Sequence, residues 1–273
     1  MTDSEKSIYG RKVFFLNPTV TFEEEVIERL RVMEYEVYAI SDHRVAKNIL
    51  RLNPDSICFV MPNSGLSQVG WHNFLKSFEN EPKFSTLDVG VIMHKLPEDR
   101  INSFLSGLQY DAGCFFLEDD SEELFHKITA SLDKLGAKGL RKYVRADCIN
   151  DRSAEIYWLK ANKMIKLKMI DISAVGIAAT VSANQQNEVF VNQLISGAYI
   201  NMGKMQVTAS LKVTAIKTAR NALLVVLMYG SDIEPSALTT IRSYVADMLK
   251  HKLQDSIANL PLDKVDYNTL ELK

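Results

Sequence analysis

The sequence predicts two domains of different class. An α/β domain with a doubly wound, parallel five-stranded sheet is expected over residues 1–135, and an antiparallel β-barrel with a C-terminal helix over residues 148–273. Three observations carry this. Short apolar runs alternate with patterns spaced at three and four in the first half; the period changes to two in the second; and the charge changes sign between them. Residues 1–139 hold 15 Lys+Arg against 22 Asp+Glu, residues 140–273 hold 17 against 12. A linker over residues 136–147 joins the two.

The elements follow in order. Val13–Leu16 is a continuous apolar run and reads as a strand; Phe22, Val26, Leu30 and Met33 then mark an amphipathic helix. Glu36–Ile40 is a second strand, and Val45, Ile49 and Leu52 a short helix that Asn53-Pro54 ends. Ile57–Met61 is a third strand, stopped by Pro62-Asn63-Ser64-Gly65, with Trp71, Phe74, Leu75 and Phe78 forming the next helical stripe. Val89–Met93 and Cys114–Leu117 are the fourth and fifth strands, with a helix over Ile101–Leu108 between them and a last one over Glu122–Leu135. Strands alternating with helices of this length make a parallel sheet covered on both faces.

Gly136 and Gly139 close this half. Beyond them Ile165, Leu167 and Met169 alternate with Lys166 and Lys168, and Val207 to Ala215 alternate with Thr208, Ser210, Lys212 and Thr214. Such strands are half buried on one face. With Ala154–Leu159, Val175–Val181 and Leu223–Tyr229 they form a small antiparallel barrel. Pro235 opens a closing helix whose stripe is Leu238, Ile241, Val245, Met248 or Leu249, Leu253 and Ile257. Residues 261–273 have no period and read as loosely ordered.

Composition narrows the function classes. No run approaches the roughly 20 apolar residues of a membrane helix. The polar start Met1-Thr2-Asp3-Ser4-Glu5-Lys6 lacks the core of a secretory signal, so a cytosolic location is expected. Cys58, Cys114 and Cys148 are far apart and read as buried small side chains, neither disulfides nor zinc ligands. His43, His72, His94, His126 and His251 show no metal-binding spacing, and no Walker lysine, G-x-G-x-x-G or G-x-S-x-G occurs. No catalytic set, metal or cofactor is therefore expected. The positive excess of the second half suits a small anionic ligand, and without a Lys/Arg block or an aromatic platform nucleic acid is not expected.

Two motifs carry the chemistry. Arg141-Lys142-Tyr143-Val144-Arg145 reads R-x-x-x-R, and Asp171-Ile172-Ser173-Ala174-Val175-Gly176 reads D-x-S-x-x-G. A guanidinium presents a planar fork of donors to phosphate oxygens or to the O6/N7 edge of guanine. A carboxylate such as that of Asp171 accepts from the N1–H and N2–H edge of the same base. Ser173 adds a hydroxyl, and Gly176 lets a ligand approach the backbone. The residues Asp, Ser and Gly are equally those of a β-turn, and arginines also pair with nearby carboxylates.

R-x-x-x-R followed by [DN]-x-S-x-x-G at the entry to a small barrel resembles PilZ domains, bacterial receptors for cyclic di-GMP. The resemblance covers about residues 138–258. It implies that Arg141 and Arg145 bind phosphate and guanine, while Asp171, Ser173 and Gly176 line the barrel face that receives the rest of the ligand. Val175 stands where many members have a second glycine. Leu140 stands where some have a further arginine, which favours one ligand per domain. The first half resembles a response-regulator receiver in its order of elements but lacks the chemistry. Asn17 and Pro18 follow the first strand where Mg²⁺-binding acids belong, Val60 and Met61 occupy the phosphoacceptor region, and Glu118, Asp119 and Asp120 replace the lysine after the fifth strand. It is read as a pseudo-receiver.

The expected function is thus a non-catalytic cyclic di-GMP receptor that changes interdomain arrangement or the binding of a protein partner. The alternative is a PilZ-like interaction scaffold that binds no nucleotide.

Overall fold

The computed structural model describes residues 8–219 and 222–269. The chain divides into two compact units, one of residues 1–142 with 253–273, the other of Tyr143–Lys252.

The first unit is a five-stranded sheet of β1 (Lys12–Leu16), β2 (Val37–Ile40), β3 (Ser56–Val60), β4 (Asp88–Met93) and β5 (Gly113–Phe116), ordered β2-β1-β3-β4-β5 and parallel throughout. Its helices are α1 (Val20–Phe22), a π-helical stretch Glu23–Ile27, α2 (Glu28–Val32), α3 (His43–Leu52), α4 (Gln68–Glu79), α5 (Glu98–Leu105) and α6 (Ser121–Lys134). Val20–Val32 is one helical run in which the wider π turn lets Val26 and Ile27 both reach the core. The inner strands β1 and β3 are almost wholly buried, as strands covered on both faces must be. Phe15 stacks on Phe59 at 5.2 Å across them.

Helix α6 ends where the paired glycines predict. Gly136 takes φ +72°, its N–H reaches the Asp133 carbonyl at 3.2 Å and that of Ala137 the Leu132 carbonyl at 2.9 Å. These two bonds are a Schellman cap, which a glycine adopts without a Cβ penalty.

The second unit holds β6 (Arg145–Asp147), β7 (Glu155–Lys160), β8 (Lys163–Ser173), β9 (Gly176–Val181), β10 (Leu194–Met202), β11 (Met205–Ala219) and β12 (Ala222–Tyr229), then α7 (Pro235–Ile257). Strands β8-β7-β10-β11-β12-β9 form an antiparallel ring that β8–β9 pairing closes, and β6 is added outside β8. Ala237, Ile241, Tyr244 and Val245 of α7 are buried in the barrel core, with Met248 and Leu249 against it. The apolar stripe of this helix therefore covers the barrel through its N-terminal half.

Three parts of the fold differ from the sequence expectation. Arg145–Asp147, expected within the linker 136–147, is strand β6 of the second unit. Strand β10 is not expected from the sequence, because a register shift between Ile195 and Ala198 at Gly197 interrupts the alternation. The tail 261–273, grouped with the barrel and read as loosely ordered, packs in its described part on the first unit instead. Tyr267 is 1% exposed, its ring 5.2 Å from that of Phe74 in edge contact. Asn73 Nδ2 donates to the Tyr267 carbonyl at 2.8 Å, and Asn268 Oδ1 accepts from Ser67 N–H at 2.8 Å and Oγ–H at 2.7 Å. One large aromatic at a single position gives no period to read, yet it suffices to anchor a segment.

Among the described residues no helix is long and apolar enough to cross a membrane.

Candidate ligand-binding face of the barrel

The site is built by three strands and one irregularity. Strand β6 pairs antiparallel with the end of β8, setting Arg145 opposite Ser173, Ala146 opposite Ile172 and Asp147 opposite Asp171. Along β8 the buried positions are Ile165, Leu167 and Met169, after which parity shifts and Ile172 is buried. The cause is a bulge against β9: Met169 pairs with Ala179 and Asp171 with Ala178, leaving Ile170 extra. Without it Asp171 would point into the core. With it the carboxylate emerges on the barrel exterior.

There Arg145 Nη1 lies 3.4 Å from Asp171 Oδ1, one diagonal step across the two strands, with the side chains 42% and 31% exposed. A pair this long and this wet holds together weakly and exchanges partners readily. Its guanidinium fork and carboxylate present complementary edges side by side, the combination that recognises a base edge and an adjoining phosphate.

Ser173 and Gly176 both lie buried in the hairpin that follows Asp171. Ser173 and Gly176 pair across the two-residue turn Ala174-Val175 that joins β8 to β9. The Ser173 hydroxyl, in a residue 2% exposed, donates to the Gly176 carbonyl at 3.2 Å and receives the Val175 N–H at 3.5 Å. A Cβ at Gly176 would sit 2.2 Å from the Leu227 carbonyl oxygen of β12. The glycine admits a neighbouring strand at this point, and the hydroxyl tightens the turn that follows Asp171.

Arg141 belongs to the first unit, Arg145 to the second. The Arg141 guanidinium stands 4.6 Å from the ring centre of Tyr9, and its backbone N–H donates to the Ile8 carbonyl at 2.9 Å. Asp147, which no sequence motif marks, faces Asp171, and its Oδ1 accepts the Ile149 N–H at 2.8 Å. The one sequence sign of the bulge is the adjacent apolar pair Met169-Ile170 followed by Ile172.

In the first unit the crevice at the carboxyl ends of β1 and β3, where α/β sheets of this strand order take ligands, is bridged by Asn17. Its amide nitrogen lies within 3.2 Å of the Met61 carbonyl, Asn63 Oδ1, and the Ser64 carbonyl and hydroxyl. Met61 is fully buried. The acidic run after β5 is engaged in structure: Glu118 accepts from Lys95 N–H at 2.7 Å and pairs with His94 at 2.8 Å, Asp119 pairs with Lys127 at 2.7 Å, and Asp120 Oδ1 caps α6. The hydrogen bond from His94, then that from the Lys95 N–H, holds the Glu118 carboxyl below its ordinary range. Among the described residues no group of His, Cys, Asp and Glu could hold a metal ion.

No protein-family model matches the sequence, and no curated protein matches it. Among solved structures it is similar to the PilZ domain with c-di-GMP of YcgR from Escherichia coli, at 13% identity over 44% of this chain and 98% of that one, TM-score 0.37. It is similar to the MrkH–c-di-GMP complex of K. pneumonia at 12% identity, over 42% of this chain and 55% of that one, TM-score 0.39. It is also similar to the signal receiver domain of the putative response regulator NarL from Mycobacterium tuberculosis at 15% identity, over 46% of this chain and 97% of that one, TM-score 0.35. The solved structures it is similar to include a PilZ domain, a c-di-GMP complex and a signal receiver domain.

Proposed function

We propose that this chain is a non-catalytic receptor for cyclic di-GMP, located in the cytosol, with the nucleotide bound on the barrel exterior at Arg145 and Asp171. Asp171 accepts from the guanine N1–H and N2–H edge. Arg145 takes phosphate oxygens or the O6/N7 edge, and Arg141, four residues upstream, supplies the second guanidinium. Ser173 and Gly176 act by setting the β8–β9 turn that aims Asp171. The observation that carries this reading is the loose, half-exposed Arg145–Asp171 pair on a bulge that turns the carboxylate outward. An arriving dianion gives Arg145 a better partner than Asp171 and frees the carboxylate for the base. The signal to a protein partner follows if the ligand favours one arrangement of the chain over another. Isothermal titration with cyclic di-GMP tests the reading. Saturable heat that disappears in Arg141→Ala/Arg145→Ala is expected, and no heat at micromolar protein refutes it.

A second reading is a scaffold that binds a protein and no nucleotide. It draws on the burial of Ser173 and Gly176, two of the five expected contacts, inside the hairpin. Partner affinity that is unchanged by added nucleotide distinguishes it.

A further inference from the structure

We propose a second anion site on the barrel, in a cleft of about 580 Å³ between the outer face of β8 and the 3₁₀ stretch Ala183–Glu188, for a small molecule carrying a diphosphate. Three cations, Arg152, Lys166 and Lys168, line this cleft against one carboxylate, Glu155. Glu155 stands directly opposite Lys168 in the β7–β8 ladder but turns to Lys166 Nζ at 3.3 Å and to Asn201 Nδ2 at 3.4 Å. Lys168 and Arg152 are left with no ion pair among the described residues, whereas Lys160 and Lys163 nearby both pair with Glu188. Two unpaired cations converge with a third on one concavity.

The floor strengthens the effect. It runs over Ala154, Leu167 and Val181, all buried in the barrel core, so low-dielectric protein lies beneath the charges and their field is directed into the opening. Neutral groups complete the lining: beside Lys168 on β9 the Thr180 hydroxyl, which donates to the Lys168 carbonyl at 3.5 Å, and on the 3₁₀ stretch Asn184, whose carbonyl oxygen is held by Ser182 Oγ–H at 2.7 Å. The 3₁₀ stretch is fixed to β8 by Gln185, which accepts the Lys166 N–H at 3.1 Å and donates to the Met164 carbonyl at 3.0 Å. The volume falls in the range of small-molecule sites and exceeds what one phosphate fills. Lys168 lies three residues before Asp171, roughly 10 Å along the strand, so the cleft and the Arg145–Asp171 pair are separate places on one face.

The test uses the full chain labelled with ¹⁵N and inorganic pyrophosphate as probe, at constant ionic strength. The amide resonances of Lys168, Thr180 and Asn184 are expected to shift saturably. Arg152→Ala/Lys168→Ala, two exposed positions, is expected to weaken the binding about a hundredfold, and Arg145→Ala to leave it unchanged. Absence of saturable shifts, or their persistence at full affinity in the double variant, overturns the proposal. Their loss in Arg145→Ala also overturns it, by merging the cleft with the other site. Failure of cyclic di-GMP to bind has no bearing on these outcomes.

Discussion

Arg145 and Asp171 sit on adjacent antiparallel strands, two residues apart in register, with Nη1 and Oδ1 separated by 3.4 Å and both side chains in contact with solvent. A pair of this kind contributes little to folding, within about 1 kcal/mol. Arg145→Ala is therefore expected to leave barrel stability nearly unchanged while removing nucleotide binding. Trp71 lies in the first unit and Trp158 in the second, so ¹⁹F resonances of fluorotryptophan follow urea unfolding of each unit separately. A large loss of stability at Trp158 would assign Arg145 a structural role.

The opposite is expected of the glycine in the same motif. A Cβ at Gly176 meets the Leu227 backbone, which cannot yield as a side chain can. Gly176→Ala should cost the barrel about 3 kcal/mol, at the upper end of overpacking effects, and Ser173→Ala about 1 kcal/mol for the lost turn hydrogen bond. Equal and negligible effects at Trp158 would show that both residues serve something other than the hairpin.

The C-terminal segment should stabilise the first unit, not the barrel. Tyr267→Ala removes a ring packed on Phe74 and should cost about 3–5 kcal/mol at the Trp71 resonance, with Trp158 unaffected. A loss confined to Trp158 would contradict the placement of the tail.

Acid should loosen the barrel through Asp151. Burial raises the pKa of this carboxyl, but hydrogen bonds from Ser153 and from the Tyr244 hydroxyl at 2.7 Å outweigh it, and the result lies below the ordinary value. The ionised form thus favours folding. Its contribution is full above the unfolded value of about 3.9 and is lost as pH falls through the folded value. Tyr244→Phe should cost about 2 kcal/mol at neutral pH, and less once Asp151 is protonated in both variants. A difference independent of pH in chemical unfolding would remove Asp151 from the account.

Much of the fold was legible because its periods are long and regular. The βα alternation of residues 12–134 and the polar–apolar alternation of β8 and β11 each repeat enough to fix class and direction. For the proposed site only the residue types were legible, at Arg141, Arg145, Asp171, Ser173 and Gly176. Their placement was less so, since it depends on pairings distant in sequence. A bulge at Ile170 decides that Asp171 faces outward, β6 decides that Arg145 reaches it, and β12 decides that Gly176 is filled by protein. The cleft near Lys168 was hidden for a similar reason. Arg152, Lys168 and Asn184 come from three segments whose convergence no local pattern records.

Isothermal titration of the full chain with cyclic di-GMP tests the central claim most directly. The account expects saturable binding that is lost in Arg145→Ala and in Asp171→Ala while both variants keep the unfolding midpoint of the parent chain. Binding that persists in those variants, or no binding by the parent chain, would contradict it.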